Sequence, residues 1–146
     1  MGEVSVKVKK LRDGAIIPRY QSDGAAGFDF HASIDKPVTM MPGDWLNVPF
    51  GIAMEIPLGY ELRIRSRSSS VFGHHVVAYH GTIDSDYRGE LSVLLHNEGQ
   101  TLYEINPGDR VAQGVISRVE TAVFTEVEEL SETERGDGGF GSTGRN

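Results

Sequence analysis

An all-β domain of the sandwich, jelly-roll or barrel type is predicted by three features of the 146-residue sequence. Short stretches alternate apolar and polar side chains, glycine occurs 18 times, and proline–glycine pairs separate the alternating stretches. Val4, Val6 and Val8 stand between polar residues, and Leu62 and Ile64 alternate with Arg63, Arg65 and Arg67. Similar runs at Trp45 to Met54, Gly89 to His96, Val111 to Ile116 and Val123 to Val127 are also predicted to be strands. Pro42-Gly43, Pro57-Leu58-Gly59 and Pro107-Gly108 are predicted turns, because proline fixes φ and glycine supplies the positive φ that tight turns need. Pro-Gly-Asp recurs at 42–44 and 107–109 as reused turn chemistry and not as a repeat. No long amphipathic helix is visible, and Ser68 to Phe72 is predicted to form one short helical turn.

Composition narrows the function classes. There are 21 acidic and 14 basic side chains, a net charge of −7, and no cysteine. The missing thiols remove disulfide frameworks, thiol nucleophiles and the common structural zinc sites, so the chain needs no oxidising compartment. No stretch has the apolar length to span a bilayer, and Met1 to Leu11 alternates lysine with valine instead of forming a leader. A cytoplasmic protein is expected, or one of the host cytoplasm if the source is viral, with no membrane and no stable nucleic-acid partner. The positive charge is nonetheless organised: ten of the 14 cations are arginines, with Arg63, Arg65, Arg67, Arg88 and Arg110 between positions 63 and 110. Arginine's planar fork suits phosphate groups. Six of the twelve glutamates lie between Glu120 and Glu134, away from that cluster.

Two units follow from the patterning: a β-sheet domain over residues 1–130 and a glycine-rich tail over 131–146. From Ser131 onward Phe140 is the single apolar side chain, so the tail cannot fold alone. Arg135, Phe140, Ser142 and Thr143 set among glycines would let it close over a phosphorylated ring compound.

Five segments in order carry a resemblance: Ala26-Gly27-Phe28-Asp29-Phe30, Arg67-Ser68-Ser69, Gly81-Thr82-Ile83-Asp84-Ser85-Asp86-Tyr87-Arg88-Gly89, Pro107-Gly108-Asp109-Arg110-Val111-Ala112-Gln113, and Arg135 through Gly144. Together they resemble the five motifs of the trimeric dUTP pyrophosphatase (dUTPase) family over nearly the whole chain. The resemblance implies a jelly-roll-like (β-clip) subunit in a homotrimer, with shared active sites that a flexible C-terminal tail closes. It implies hydrolysis of dUTP to dUMP and pyrophosphate, which lowers dUTP and supplies dUMP for dTMP synthesis.

By the same resemblance, Asp84 activates the water and contacts the sugar 3′-hydroxyl, while Gln113 hydrogen-bonds near the α phosphate and that water. Cleavage between the α and β phosphates does need a carboxylate to orient and deprotonate water, with positive charge around the oxygens. Arg67, Ser68 and Ser69 are placed on the phosphate chain, Ile83 and Tyr87 beside the nucleoside, and Arg135, Phe140, Gly141, Ser142 and Thr143 in the closing tail. Asp29 acts indirectly, through water on a metal or by supporting the arginines. The expected cofactor is Mg2+, held through substrate phosphates and water with no direct protein ligand. His74 and His75, adjacent on a presumed strand, point to opposite faces and read as surface or packing residues.

Two departures from the family pattern stand out. Ser66 and Ser69 flank Arg67-Ser68 where proline and glycine are usual, and Ala78, Tyr79 and His80 occupy the loop where an asparagine usually reads uracil. The rival reading as a dCTP deaminase lacks its glutamate, since Leu94 stands at that position. Relaxed base selectivity and a nucleotide-switched regulatory binding protein are the remaining alternatives.

Overall fold

The computed structural model describes residues 2–141 and 144, and it is all-β apart from one short helix. Eleven strands follow in chain order: β1 (Lys7–Lys10), β2 (Phe28–His31), β3 (Val38–Met40), β4 (Trp45–Pro49), β5 (Ile52–Glu55), β6 (Tyr60–Arg65), β7 (Val76–Ala78), β8 (Gly81–Ile83), β9 (Ser92–Asn97), β10 (Tyr103–Ile105) and β11 (Arg110–Arg118). The helix α1 (Ser68–His74) lies between β6 and β7. All pairings are antiparallel. They build a four-stranded sheet in the order β2-β11-β6-β8, a three-stranded sheet β4-β9-β7, and the pairs β1-β5 and β10-β3. No helix among the described residues is long and apolar enough to cross a membrane.

Alternation became burial wherever a partner strand was available. In β6, Leu62 and Ile64 are buried while Arg63 and Arg65 face out. The rings of Phe30 and Phe50 stack at 4.3 Å in the core, and Phe28 meets Phe30 edge-on at 5.4 Å. Those rings cross the sheet at Gly114, where a Cβ would lie 2.7 Å from both Phe28 and Phe30 and 2.9 Å from Leu62. The three proline–glycine turns also formed, with φ of 90°, 90° and 83° at Gly43, Gly59 and Gly108.

Four expectations need correction. Trp45 to Met54 is two strands, because Gly51 at φ 70° turns the chain between β4 and β5. The first strand begins at Lys7 and not at Val4, since only Lys7–Lys10 pairs with β5. Val123 to Val127 is not a strand: among the described residues no other strand pairs with it, and Val123 and Phe124 are almost fully exposed. His74 and His75 do not share a strand. His74 ends α1, and His75 closes the helix in the left-handed conformation with φ 57°. Its N–H donates to the Val71 carbonyl, as helix termini require.

Candidate active site

The site begins with the register of three strands. Gln113 on β11 stands opposite Asp29 on β2 and Arg65 on β6, so these side chains project from the sheet face opposite the core. A bulge between Arg110 and Ala112 then changes the alternation. Without it Arg110 would point inward; with it Val111 is buried and Arg110 joins the face of Asp29. Arg67 reaches the same carboxylate from just beyond β6.

The outcome is a compact charged cluster. Arg67 Nε donates to Asp29 Oδ1 at 3.1 Å, and Arg110 Nη1 donates to Asp29 Oδ2 at 3.5 Å. Arg67 Nη1 also donates to the Arg110 carbonyl at 3.3 Å. Two guanidinium groups therefore share one carboxylate, leaving a net positive charge where an anion can approach. Beside them opens a cleft of about 300 Å3, lined by Arg67, Ser69, Ser70, His74, Asp109 and Arg110, with the ring of Tyr103 5.0 Å from that of His74. Burial lowers the pKa of nearby His31, against the pull of Asp29 and with the arginines acting in the same direction as burial, and its buried Nδ1 has no hydrogen-bond partner among the described residues.

Gln113 is held by its amide nitrogen, which donates to the Ser66 carbonyl at 2.8 Å. Its oxygen lies where Gly27 would carry a side chain, 2.4 Å from the position of a Cβ, so the absence of one at Gly27 makes room for the glutamine. Ser66 also binds the end of β7: its hydroxyl accepts the Ala78 N–H at 2.7 Å and lies 3.5 Å from the Ala78 carbonyl. Ala78 leads through Tyr79 and His80 into β8, at whose end Asp84 opens a turn closed by the Tyr87 N–H on the Asp84 carbonyl at 3.2 Å. The Asp84 side chain is exposed, and no hydrogen bond or ion pair engages it among the described residues. Ile83 packs on the core edge, and Ser68 and Ser69 are exposed in the first turn of α1.

The sequence-predicted residues thus fall into three groups, of which Ile83, Asp84 and Tyr87, on β8 and the turn after it, are joined to the Asp29 cluster by no side-chain hydrogen bond or ion pair among the described residues. Asp29, Arg67 and Gln113 are brought together, with Ser68 and Ser69 next to Arg67 in the chain. Arg135, Phe140 and Gly141 are not brought to them: the hydrogen bonds of Arg135 are to Gly138, and Phe140 is fully exposed at φ 50°. Ser142 and Thr143 lie outside the described residues. Sequence reasoning grouped Arg110 with the other arginines but missed its place in the cluster, and it read Ser66 only as a departure. Arg63 and Arg88 stand apart, paired with Glu61 and Glu55 at 3.3 and 3.7 Å.

A family model described as dUTPase matches residues 13–144. The chain belongs to the dUTPase family. It is 50% identical over 144 residues to the deoxyuridine 5'-triphosphate nucleotidohydrolase of Nautilia profundicola, a match covering 97% of this chain and 100% of that one. The corresponding protein of Syntrophotalea carbinolica is 47% identical, with 99% of each chain covered. Among solved structures, the Staphylococcus bacteriophage 80alpha dUTPase with dUpNHpp superposes with a TM-score of 0.89 at 28% identity, over 97% of this chain and 99% of that one. The dUTPase of the Staphylococcus aureus phage phi11, studied for its coordination of a structural Mg(II) ion, gives 0.80 at 25% identity over 88% and 99%. As a dUTPase-family member with a nearly all-β, jelly-roll-like fold, this chain meets the expectation raised by the five motifs.

Proposed function

We propose that the chain hydrolyses dUTP to dUMP and pyrophosphate in the cytoplasm, by direct attack of water on the α phosphorus. The observation that carries this reading is the Asp29 cluster: a carboxylate that aims two guanidinium groups while leaving one positive charge uncompensated. That arrangement suits a polyphosphate, which takes up the remaining charge and the free N–H donors. Arg67, Ser68 and Ser69 hold the phosphate chain. Asp84, with its carboxylate unengaged by the protein, orients the water and takes its proton. Gln113 has its amide nitrogen committed to Ser66, so its oxygen is the atom left to accept from that water. As the new oxygen–phosphorus bond forms, the bond to the β-phosphate bridging oxygen breaks and pyrophosphate leaves.

Among the described residues no three His, Cys, Asp or Glu side chains gather to cage a metal ion. Both oxygens of Asp29 already face guanidinium groups. This donor set fits a magnesium ion carried by the phosphates, with Asp29 reaching it through water. When bound, the ion neutralises phosphate charge.

Ile83 and Tyr87 line the nucleoside, with Tyr87 against the deoxyribose. The tail carries Phe140 to the base, with Gly141 as its pivot, and Arg135, Ser142 and Thr143 to the terminal phosphate, excluding bulk water. A homotrimer with shared sites is supported by the segment after β11, where Val123, Phe124, Val127 and Leu130 are exposed apolar side chains outside any strand or helix. Such a stretch calls for cover from another subunit.

A panel of dUTP, dTTP, dCTP and UTP with magnesium, scored by pyrophosphate release, tests the activity. The expected result is a wide lead for dUTP, with dCTP the best-tolerated wrong base because no asparagine amide reads the base edge. Equal hydrolysis of dUTP and dTTP would overturn the uracil assignment, and ammonia release from dCTP would establish a deaminase.

A further inference from the structure

Glu90 takes no part in the steps above, yet four contacts converge on it. Arg12 grips its carboxylate with both terminal nitrogens, Nη1 at 3.2 Å from Oε1 and Nη2 on Oε2. The Gly51 N–H donates to the same Oε2 at 3.0 Å. Arg12 Nε is itself held, donating to Ser33 Oγ at 3.3 Å. The fourth contact is on the main chain: the Tyr87 hydroxyl donates to the Glu90 carbonyl at 3.0 Å.

The surroundings allow this anchor little movement. Gly51 has φ 70°, and a Cβ there would stand 2.5 Å from Ser33 Oγ. Leu91, the next residue, is buried and tied on both sides, its N–H to Ile52 and its carbonyl to the Phe50 N–H. Between anchor and ring, a Cβ on Gly89 would lie 2.3 Å from the Tyr87 hydroxyl oxygen and 2.6 Å from Cζ. Tyr87 is thus folded back over Gly89 with its outer edge pinned, while about half of its surface stays open.

We propose that Arg12 and Glu90 are positioning residues that determine sugar specificity, holding the Tyr87 ring as an unyielding wall against a ribose 2′-hydroxyl. This rests on the reading of Tyr87 as the wall of the deoxyribose site. Rejection by crowding works only if the wall does not give way, since a phenol free to swing makes room for the extra oxygen. A half-exposed ion pair adds little stability, but a two-pronged guanidinium–carboxylate contact fixes orientation. The Arg12 hydrogen bond also holds the Glu90 carboxyl below its ordinary pKa, so the contact is charged near neutral pH.

The test compares kcat/KM for dUTP and UTP, with magnesium, in the parent and in Glu90→Gln, Arg12→Met, Tyr87→Phe and Tyr87→Ala. Glu90→Gln, Arg12→Met and Tyr87→Phe are each expected to lower the dUTP-to-UTP ratio about tenfold, the scale of one lost hydrogen-bonded restraint, mainly by raising kcat/KM for UTP. Arg12→Lys, which keeps the charge without the fork, should give an intermediate ratio. Unchanged ratios in the clamp variants, alongside a lowered ratio in Tyr87→Ala, would overturn the clamp and leave the sugar reading standing. An unchanged ratio in Tyr87→Ala would overturn the sugar reading itself. Equal losses on both substrates with a lowered melting temperature would make the contact merely structural. If the clamp variants do not fold, Tyr87→Phe decides, because it removes the pinned hydroxyl and leaves Arg12 and Glu90 in place.

Discussion

Arg67 and Arg135 are the same residue in opposite physical states. Arg67 is mostly buried at the end of a central strand, with Asp29 and the Arg110 carbonyl fixing its fork. Arg135 is exposed, and its Nε donates to Gly138, three residues along the chain. Val119 makes the last main-chain hydrogen bond, in chain order, from this end of the chain to the body, its N–H donating to Gly59; beyond it the described residues bond locally. The difference teaches that the candidate site has a half built by the contacts of the fold and a half, in the tail, whose described hydrogen bonds are local. Changes in the first half should alter stability and activity together, except at positions where the side chain packs on nothing. Changes in the second should alter activity alone.

Asp84→Asn sharpens that exception and has the largest expected effect. Its exposed side chain makes no hydrogen bond or ion pair among the described residues, so steady-state pyrophosphate release should fall on the order of a hundred-fold to ten-thousand-fold, with an unchanged melting temperature. A rate above about a tenth of the parent's would remove Asp84 from the role of base. Deleting residues 135–146 tests the other half: turnover should fall about a hundred-fold through lost closure, while the number of subunits per particle and the melting temperature stay near the parent's. Full activity in the truncated protein, by chromatography of the phosphate products, would end the distinction. Arg67→Lys replaces the fork by a point charge and should raise KM about tenfold, with a smaller change in kcat. Gly114→Ala leaves every site residue in place but forces a methyl against Phe28, Phe30 and Leu62. Calorimetry should show a loss of about 1–3 kcal/mol.

Much of the fold was legible because turns and alternation are local. Pro42-Gly43 and Pro107-Gly108 specify positive φ at the glycine whatever lies elsewhere, and Leu62 and Ile64 face inward in any sheet with a buried side. Pairing is not local, and the errors arose there. Val123 to Val127 is rich in the β-branched and aromatic side chains that strands favour, yet no strand pairs with it among the described residues. The same holds for the site. The motifs singled out Asp29, Arg67, Gln113 and Asp84 as candidates, but the turn of Arg110 toward Asp29 depends on a bulge between two strands about eighty residues apart in sequence. That geometry has no signature in either strand alone. Histidines 74 and 75 were misplaced for a related reason: α1 runs to His74, beyond the single turn expected from Ser68 to Phe72.

Ser66 has a consequence for anyone recombining this chain with its relatives. Its carbonyl holds Gln113 and its hydroxyl holds the Ala78 N–H, so one residue fastens both Gln113 of the candidate site and the start of the loop from Ala78 to Gly81. The loop is therefore not a portable cassette. Moved into a scaffold whose residue before the arginine has no hydroxyl, it arrives with the amide of the buried Ala78 orphaned. Moved the other way, a loop shaped for such a scaffold meets an unmatched hydroxyl at its base. Chimeras that exchange positions 66 and 78–83 together keep this joint intact, whereas those that cut between them inherit a mismatch at the residue that holds Gln113.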